Sequence, residues 1–227
     1  MSASRQTDLP GGLLAGGTDG NELLTAEVGV LLFVLLAVLG ITILRIGQLL
    51  WLHLFLGLLL LGPVVLKMAS TGYRFMRYYT HNRAYRSKGP PEPYLRLLAP
   101  IVVLSTVAVF ATGVALLLLG PSSRGTLLLA HKVTFIVWIM FTALHVLGHL
   151  PDVQRTMLNG RTLRSEVLTG ASPGRSGRPQ SLPTAEPGRS GRALSIAGAL
   201  LAGLILALLL LPQFEPWLHY HRVFTGH

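Results

Sequence analysis

The chain has 227 residues, of which 51% are hydrophobic and only 12% charged, and its mean hydropathy is +0.56. That is too apolar for an ordinary water-soluble domain. The formal charge is +10, but thirteen of the nineteen Lys and Arg residues fall in two stretches, 70–96 and 151–192, a pattern of loops on one side of a membrane and not of a nucleic-acid surface. Cysteine is absent, which excludes disulfides, iron–sulfur clusters and thiolate metal sites.

Apolar residues concentrate in five runs, 23–44, 49–69, 97–119, 126–150 and 193–211, each about the 20 residues that span a bilayer as a helix. The short alternating strands of a barrel are missing. The expected fold is therefore all-α: a polytopic membrane helical bundle with about five transmembrane helices. Residues 1–22 form a glycine-rich tail with no basic segment directly before the apolar run, so the first run reads as an uncleaved helix and not a signal peptide.

Helices 1 and 2 are joined around Arg45–Gln48 and should pair antiparallel. Helix 2 contains Gly62-Pro63; the proline should kink it, and a neighbouring helix should satisfy the carbonyl that the proline leaves unpaired. The helix is expected to continue through GYRFMRYY (72–79), where Tyr73, Tyr78 and Tyr79 beside Arg74 and Arg77 read as an interfacial belt. KGPPEP (88–93) ends that extension. Helix 3 offers Thr106, Thr112 and Gly113 for packing, and GPSSRG (120–125) is a tight turn into helix 4.

Residues 151–192 read as a basic cytoplasmic loop, largely disordered, in which PGRSGR occurs at 173–178 and again at 187–192. Helix 5 (193–211) carries no charge or histidine and should pack or face lipid, and 212–227 is a C-terminal tail with His219 and His221. With five spans the two basic loops share a side, which the positive-inside rule makes cytoplasmic, with the N-terminus inside and the C-terminus outside. Arg45 and the slightly acidic tail pull the other way and are outweighed.

Four histidines lie within the spans: His53, His131, His145 and His149. His53 is about four residues into helix 2 and His131 about five into helix 4, which puts both roughly 6–8 Å along helices that enter from the same face. An iron with two axial histidines needs one from each of two helices at one level. His131 and His145 are fourteen positions apart, about 21 Å of rise and four turns less roughly 40°, so they share a face. His149 near the interface is better explained by a hydrogen bond across helices.

An H-x13-H pair on a membrane helix resembles the ligand pattern of transmembrane b-type cytochromes, which hold two haems between two helices that each carry such a pair. The resemblance covers helices 2 to 4, about half the chain, and implies a four-helix core at 23–150 that binds haem b. One ligand position departs from it: fourteen residues after His53 stands Lys67, followed by Met68. The resemblance thus implies one haem held by His53 and His131, and a second only if Lys67 or Met68 partners His145.

Several nearby residues fit that picture. Gly57, one turn after His53, leaves room for a porphyrin face or for close helix packing. Thr134 and Thr142 could orient His131 and His145 or back-bond to their own helix. Arg45, Arg124 and Lys132 lie where propionates would end, or are plain turn charges. The resemblance implies electron transfer in the lipid bilayer of the plasma membrane, with a quinol or an extracytoplasmic redox protein as partner and no nucleic acid. Two other classes remain open: a small histidine-dependent proton or metal transporter, although no inverted repeat is evident, and a cofactor-free scaffold subunit. Nucleophile motifs, Walker loops, dinucleotide fingerprints and HExxH are absent.

Overall fold

A computed structural model describes residues 17–80, 93–168 and 189–225. The tail before residue 17, the loop with His81 and most of KGPPEP, and the linker 169–188 with the first PGRSGR lie outside the described residues; of His149 and His221 only the backbone is described. The helices are α1 (Gly17–Leu44), α2 (Ile46–Tyr79), α3 (Pro93–Leu119), α4 (Arg124–Leu168), α5 (Arg189–Leu209) and α6 (Glu215–Thr225), with 3-10 turns at Pro121–Ser123 and Leu211–Gln213. Five are long and apolar enough to cross a membrane, over Gly20–Leu44, Ile46–Tyr79, Leu97–Leu119, Pro121–Gly148 and Arg189–Leu209. No strand occurs among the described residues. The protein is all-α and polytopic, as a backbone in lipid requires, since a helix pairs every amide within its own segment.

Two breaks divide the first four helices into hairpins. After Leu44 the chain turns at Arg45, whose carbonyl accepts from the Gln48 and Leu49 amides at 2.9 Å each. After Leu119 it turns at Gly120, whose φ of 74° lies in the left-handed region that glycine adopts without strain; Pro121 then opens a 3-10 turn.

Two compact units result. The first holds α1, α2, α5, α6 and the tip of the α3–α4 hairpin at Gly113–Arg124; the second holds the rest of α3 and α4. In the first unit α2 packs along α1 on one side and α5 on another. Its core near the hairpin tip is Leu58, Leu117, Ala207 and Phe214, each at most 4% exposed. Trp51 stacks on Phe55 at 5.3 Å and meets Phe214 edge-on at 6.5 Å.

The α2–α5 contact is made by backbone. A Cβ on Gly62 would overlap the carbonyl of Ala199, and one on Gly203 would overlap the carbonyl of Leu59. Leu59 is the residue four before Pro63, so its carbonyl is the acceptor that the proline ring deprives of a helical partner. The Cα hydrogen of Gly203 points at that oxygen, a weak C–H···O contact of the kind seen where helices approach closely. The helix that approaches this carbonyl is α5. The one non-helical residue inside α2 is Leu49, with φ −114° and ψ 21°, just after the turn from α1. Pro63 itself is fully buried.

A second correction concerns the loop 151–192. The α4 helix runs without interruption to Leu168, and α5 begins at Arg189, inside the second PGRSGR. Both ends of the supposed loop are therefore helical. Arg192 is only 6% exposed and lies 3.5 Å from Glu27 of α1, so it belongs to the packed unit.

Candidate functional site

Polar side chains in a span must find partners, and here they join each hairpin along its length. In the second unit polar contacts connect α3 to α4 in antiparallel register. Thr112 Oγ1 meets His131 Nδ1 at 3.1 Å and Thr134 Oγ1 at 3.1 Å. The Trp138 indole donates to Thr106 Oγ1 at 3.0 Å, and the Tyr94 hydroxyl donates to the Gly148 carbonyl at 2.7 Å. Along α4 from His131 to Gly148 the more covered positions are 131, 134, 135, 138, 141, 142, 145 and 148, the 3-4 spacing of one helix face. His131 and His145 thus share a face, the one turned to α3.

In the first unit the same logic joins α1 to α2. His53 Nδ1 meets Thr42 Oγ1 at 2.9 Å, and Thr42 is wholly buried. At the other end the Lys67 amine donates to the Thr25 carbonyl. A Cβ on Gly29 would sit 3.1 Å from that amine, so the absent side chain gives the Lys67 head group its place. Thr25 Oγ1 donates to the Asn21 carbonyl at 2.7 Å and lies 3.2 Å from Ser70 Oγ; Asn21 Nδ2 donates to the Ser70 carbonyl at 3.3 Å. Glu22 and Arg74 pair at 3.4 Å nearby.

The two histidines at the hairpin tips have matching settings. His53 is the eighth residue of α2 and His131 the eighth of α4. Each is half-buried, and each is anchored through Nδ1 to a threonine on the preceding helix. That fits the donor set of a b-type haem, in which a ligating histidine is held through one ring nitrogen and binds the metal through the other. Both hairpins therefore carry a residue able to hold such a group. The open flank agrees: nothing lies within 4 Å of a Cβ built on Gly57, so that glycine leaves room on the His53 face and is not a close-packing position.

Other expected site residues are placed differently. Thr134, considered as the orienting group for His131, instead back-bonds to the Ala130 and His131 carbonyls at 2.9 and 3.0 Å, and the ring Nδ1 meets Thr112. Thr142 Oγ1 is buried and makes no hydrogen bond among the described residues. Arg124 is engaged by α6: its guanidinium lies over the Tyr220 ring, 4.8 Å from the centroid, and donates to the Tyr220 hydroxyl. Arg45 and Lys132 are exposed. His53 and Lys67 belong to the first unit, His131 and His145 to the second.

Sequence reasoning missed Thr42 and Thr112 as histidine partners. Both pairs depend on the register that the hairpin turn sets, which the sequence does not show. It also missed the cluster around Lys67, whose parts lie more than 40 residues apart. Among the described residues no three His, Asp or Glu side chains form a metal-binding group. Compared with protein-family models, curated proteins and solved structures, the chain matches none.

Proposed function

We propose that the protein is a membrane b-type cytochrome that transfers electrons through a haem, which His53 of α2 and His131 of α4 would hold. The observation that carries this reading is the repeated tip device: a half-buried histidine at the same position of each second helix, its Nδ1 fixed by a threonine of the first. Histidines within a span are costly and default to function, and two in matching settings favour one shared role. When bound, haem supplies one-electron chemistry; the chain's own residues bind it, shield it from water, and set its potential through ligand type, burial and hydrogen bonding.

Electrons would come from a membrane quinol or pass to an extracytoplasmic redox protein. The arginine distribution supports a plasma-membrane protein with the N-terminus in the cytoplasm and the C-terminus outside. Lys67 bonds to α1 in its own unit, which favours a single haem over one that uses Lys67 with His145. The histidine-dependent transporter is the reading to beat, and haem content decides between them.

The test is a reduced-minus-oxidised absorption spectrum of protein made with ample haem. A b-type α-band is expected, and His53→Ala and His131→Ala should each lower haem content more than tenfold. Absence of any haem band, or full haem content in both variants, would overturn the reading.

A further inference from the structure

The hydroxyls of Thr42 and Thr112 each have one hydrogen, and its destination decides what the histidines do. Thr42 Oγ1 lies 2.6 Å from the Leu39 carbonyl. Two oxygens that close require a hydrogen between them, and a carbonyl has none to give. The Thr42 hydrogen therefore goes to Leu39, and its oxygen is left to accept from His53 at 2.9 Å. Thr112 Oγ1 lies 2.9 and 3.0 Å from the Ala108 and Val109 carbonyls, which take its hydrogen and leave its oxygen to accept from His131, whose ring N–H also has the Val109 carbonyl as an acceptor. Thr134, the third hydroxyl here, points its hydrogen at carbonyls of α4. A neutral imidazole carries one N–H. In both rings that hydrogen is on Nδ1, and the lone pair is on Nε2.

We propose that Thr42 and Thr112 are the positioning residues of the two histidines: each holds its imidazole in the Nδ1–H tautomer before any cofactor binds, which makes Nε2 the iron-binding atom. This rests on the haem reading for its consequence but not for its geometry. An acceptor on Nδ1–H increases the electron donation of the ring and so favours ferric over ferrous iron. The threonines thus also hold the midpoint potential down. Thr42 should do so more strongly, because it is wholly buried and its oxygen serves one partner, whereas Thr112 also has Thr134 at 3.1 Å.

The experiment uses the full chain in lipid nanodiscs, labelled with 15N-histidine and prepared without haem. Nitrogen shifts distinguish the two neutral tautomers, and single histidine variants assign the signals. His53 and His131 should both show the Nδ1–H form. Thr42→Val should shift the His53 signal away from that form and Thr112→Val the His131 signal, while Thr42→Ser and Thr112→Ser, which keep the hydroxyl, should not. In haem-loaded protein the valine variants should raise the midpoint potential, Thr42→Val by more, and the serine variants should restore it. An Nε2–H signal for either ring in the unsubstituted protein overturns the assignment, and needs no variant to fold. So do valine variants that leave tautomer and potential unchanged. The haem-free measurement is independent of the functional reading, which stands or falls on the absorption band.

Discussion

The two hairpins are alike at their tips and unlike at their far ends. At the tips Thr42 holds His53 and Thr112 holds His131. Fourteen residues further along each second helix the match fails. On α2 stands Lys67, with its amine on the Thr25 carbonyl beside Gly29 and Ser70 close by. On α4 stands His145, next to Thr142, whose hydroxyl makes no hydrogen bond among the described residues. The device that repeats is the one a shared ligand would need in both hairpins. The part that does not repeat has become, on α2, a polar joint between helices. The fourteen-residue histidine spacing thus occurs on one of the two helices only.

The hairpins also differ in support, and this gives the largest expected effect. Only α1–α2 is described with a third helix against its backbone, at Gly62 and Gly203. Gly203→Val pushes a side chain into the Leu59 carbonyl, and neither backbone can yield without separating the helices. A loss of about 3 kcal/mol is expected, read as a lowered midpoint for loss of helicity in denaturing detergent. Gly57→Val, where a Cβ meets nothing within 4 Å, should change stability by less than about 0.5 kcal/mol. Equal losses at both positions would mean that the two faces of α2 do not differ as described.

The far ends are compared by haem stoichiometry. Lys67→Met keeps the length of the side chain and removes the amine, while His145→Ala removes the corresponding ring on α4. Under the single-haem reading neither changes the haem-to-protein ratio, in contrast to His53→Ala. Halving of that ratio by either variant would show a second centre at the far end. A smaller effect is expected from Trp138→Phe, which removes the indole N–H that reaches Thr106; about 1 kcal/mol of stability should go with it, with haem content unchanged.

Much of this was legible in the sequence, for identifiable reasons. Span number and placement follow from apolar runs, because lipid demands continuous apolar helices. The facing of His131 and His145 follows from helical period alone. What could not be read was which residue answers which across a hairpin. The Thr42–His53 and Thr112–His131 pairs depend on register, set by the turns at Arg45 and Gly120. Near Pro63, α5 approaches the freed carbonyl of Leu59 through Gly203, and the non-helical residue of α2 is Leu49, where the chain leaves its turn. The helix at 151–168 was obscured by its arginines, which grouped it with the basic loop.

The smallest expected effect is also the sharpest on the far end. Thr112 and Thr142 are both threonines near a histidine, but Thr112 accepts from its ring and Thr142 bonds to nothing described. Valine matches threonine in shape and lacks the hydroxyl. Replacing a buried hydroxyl that has no partner removes a desolvation penalty and loses no bond, so Thr142→Val should leave stability unchanged or raise it by up to about 1 kcal/mol. Haem content and potential should be those of the unsubstituted protein. If Thr142→Val instead shifts the potential as Thr112→Val does, then Thr142 orients His145 when a cofactor is bound. The far end of α4 would then be a second haem site in use, and the difference between the hairpins would lie in α2 alone.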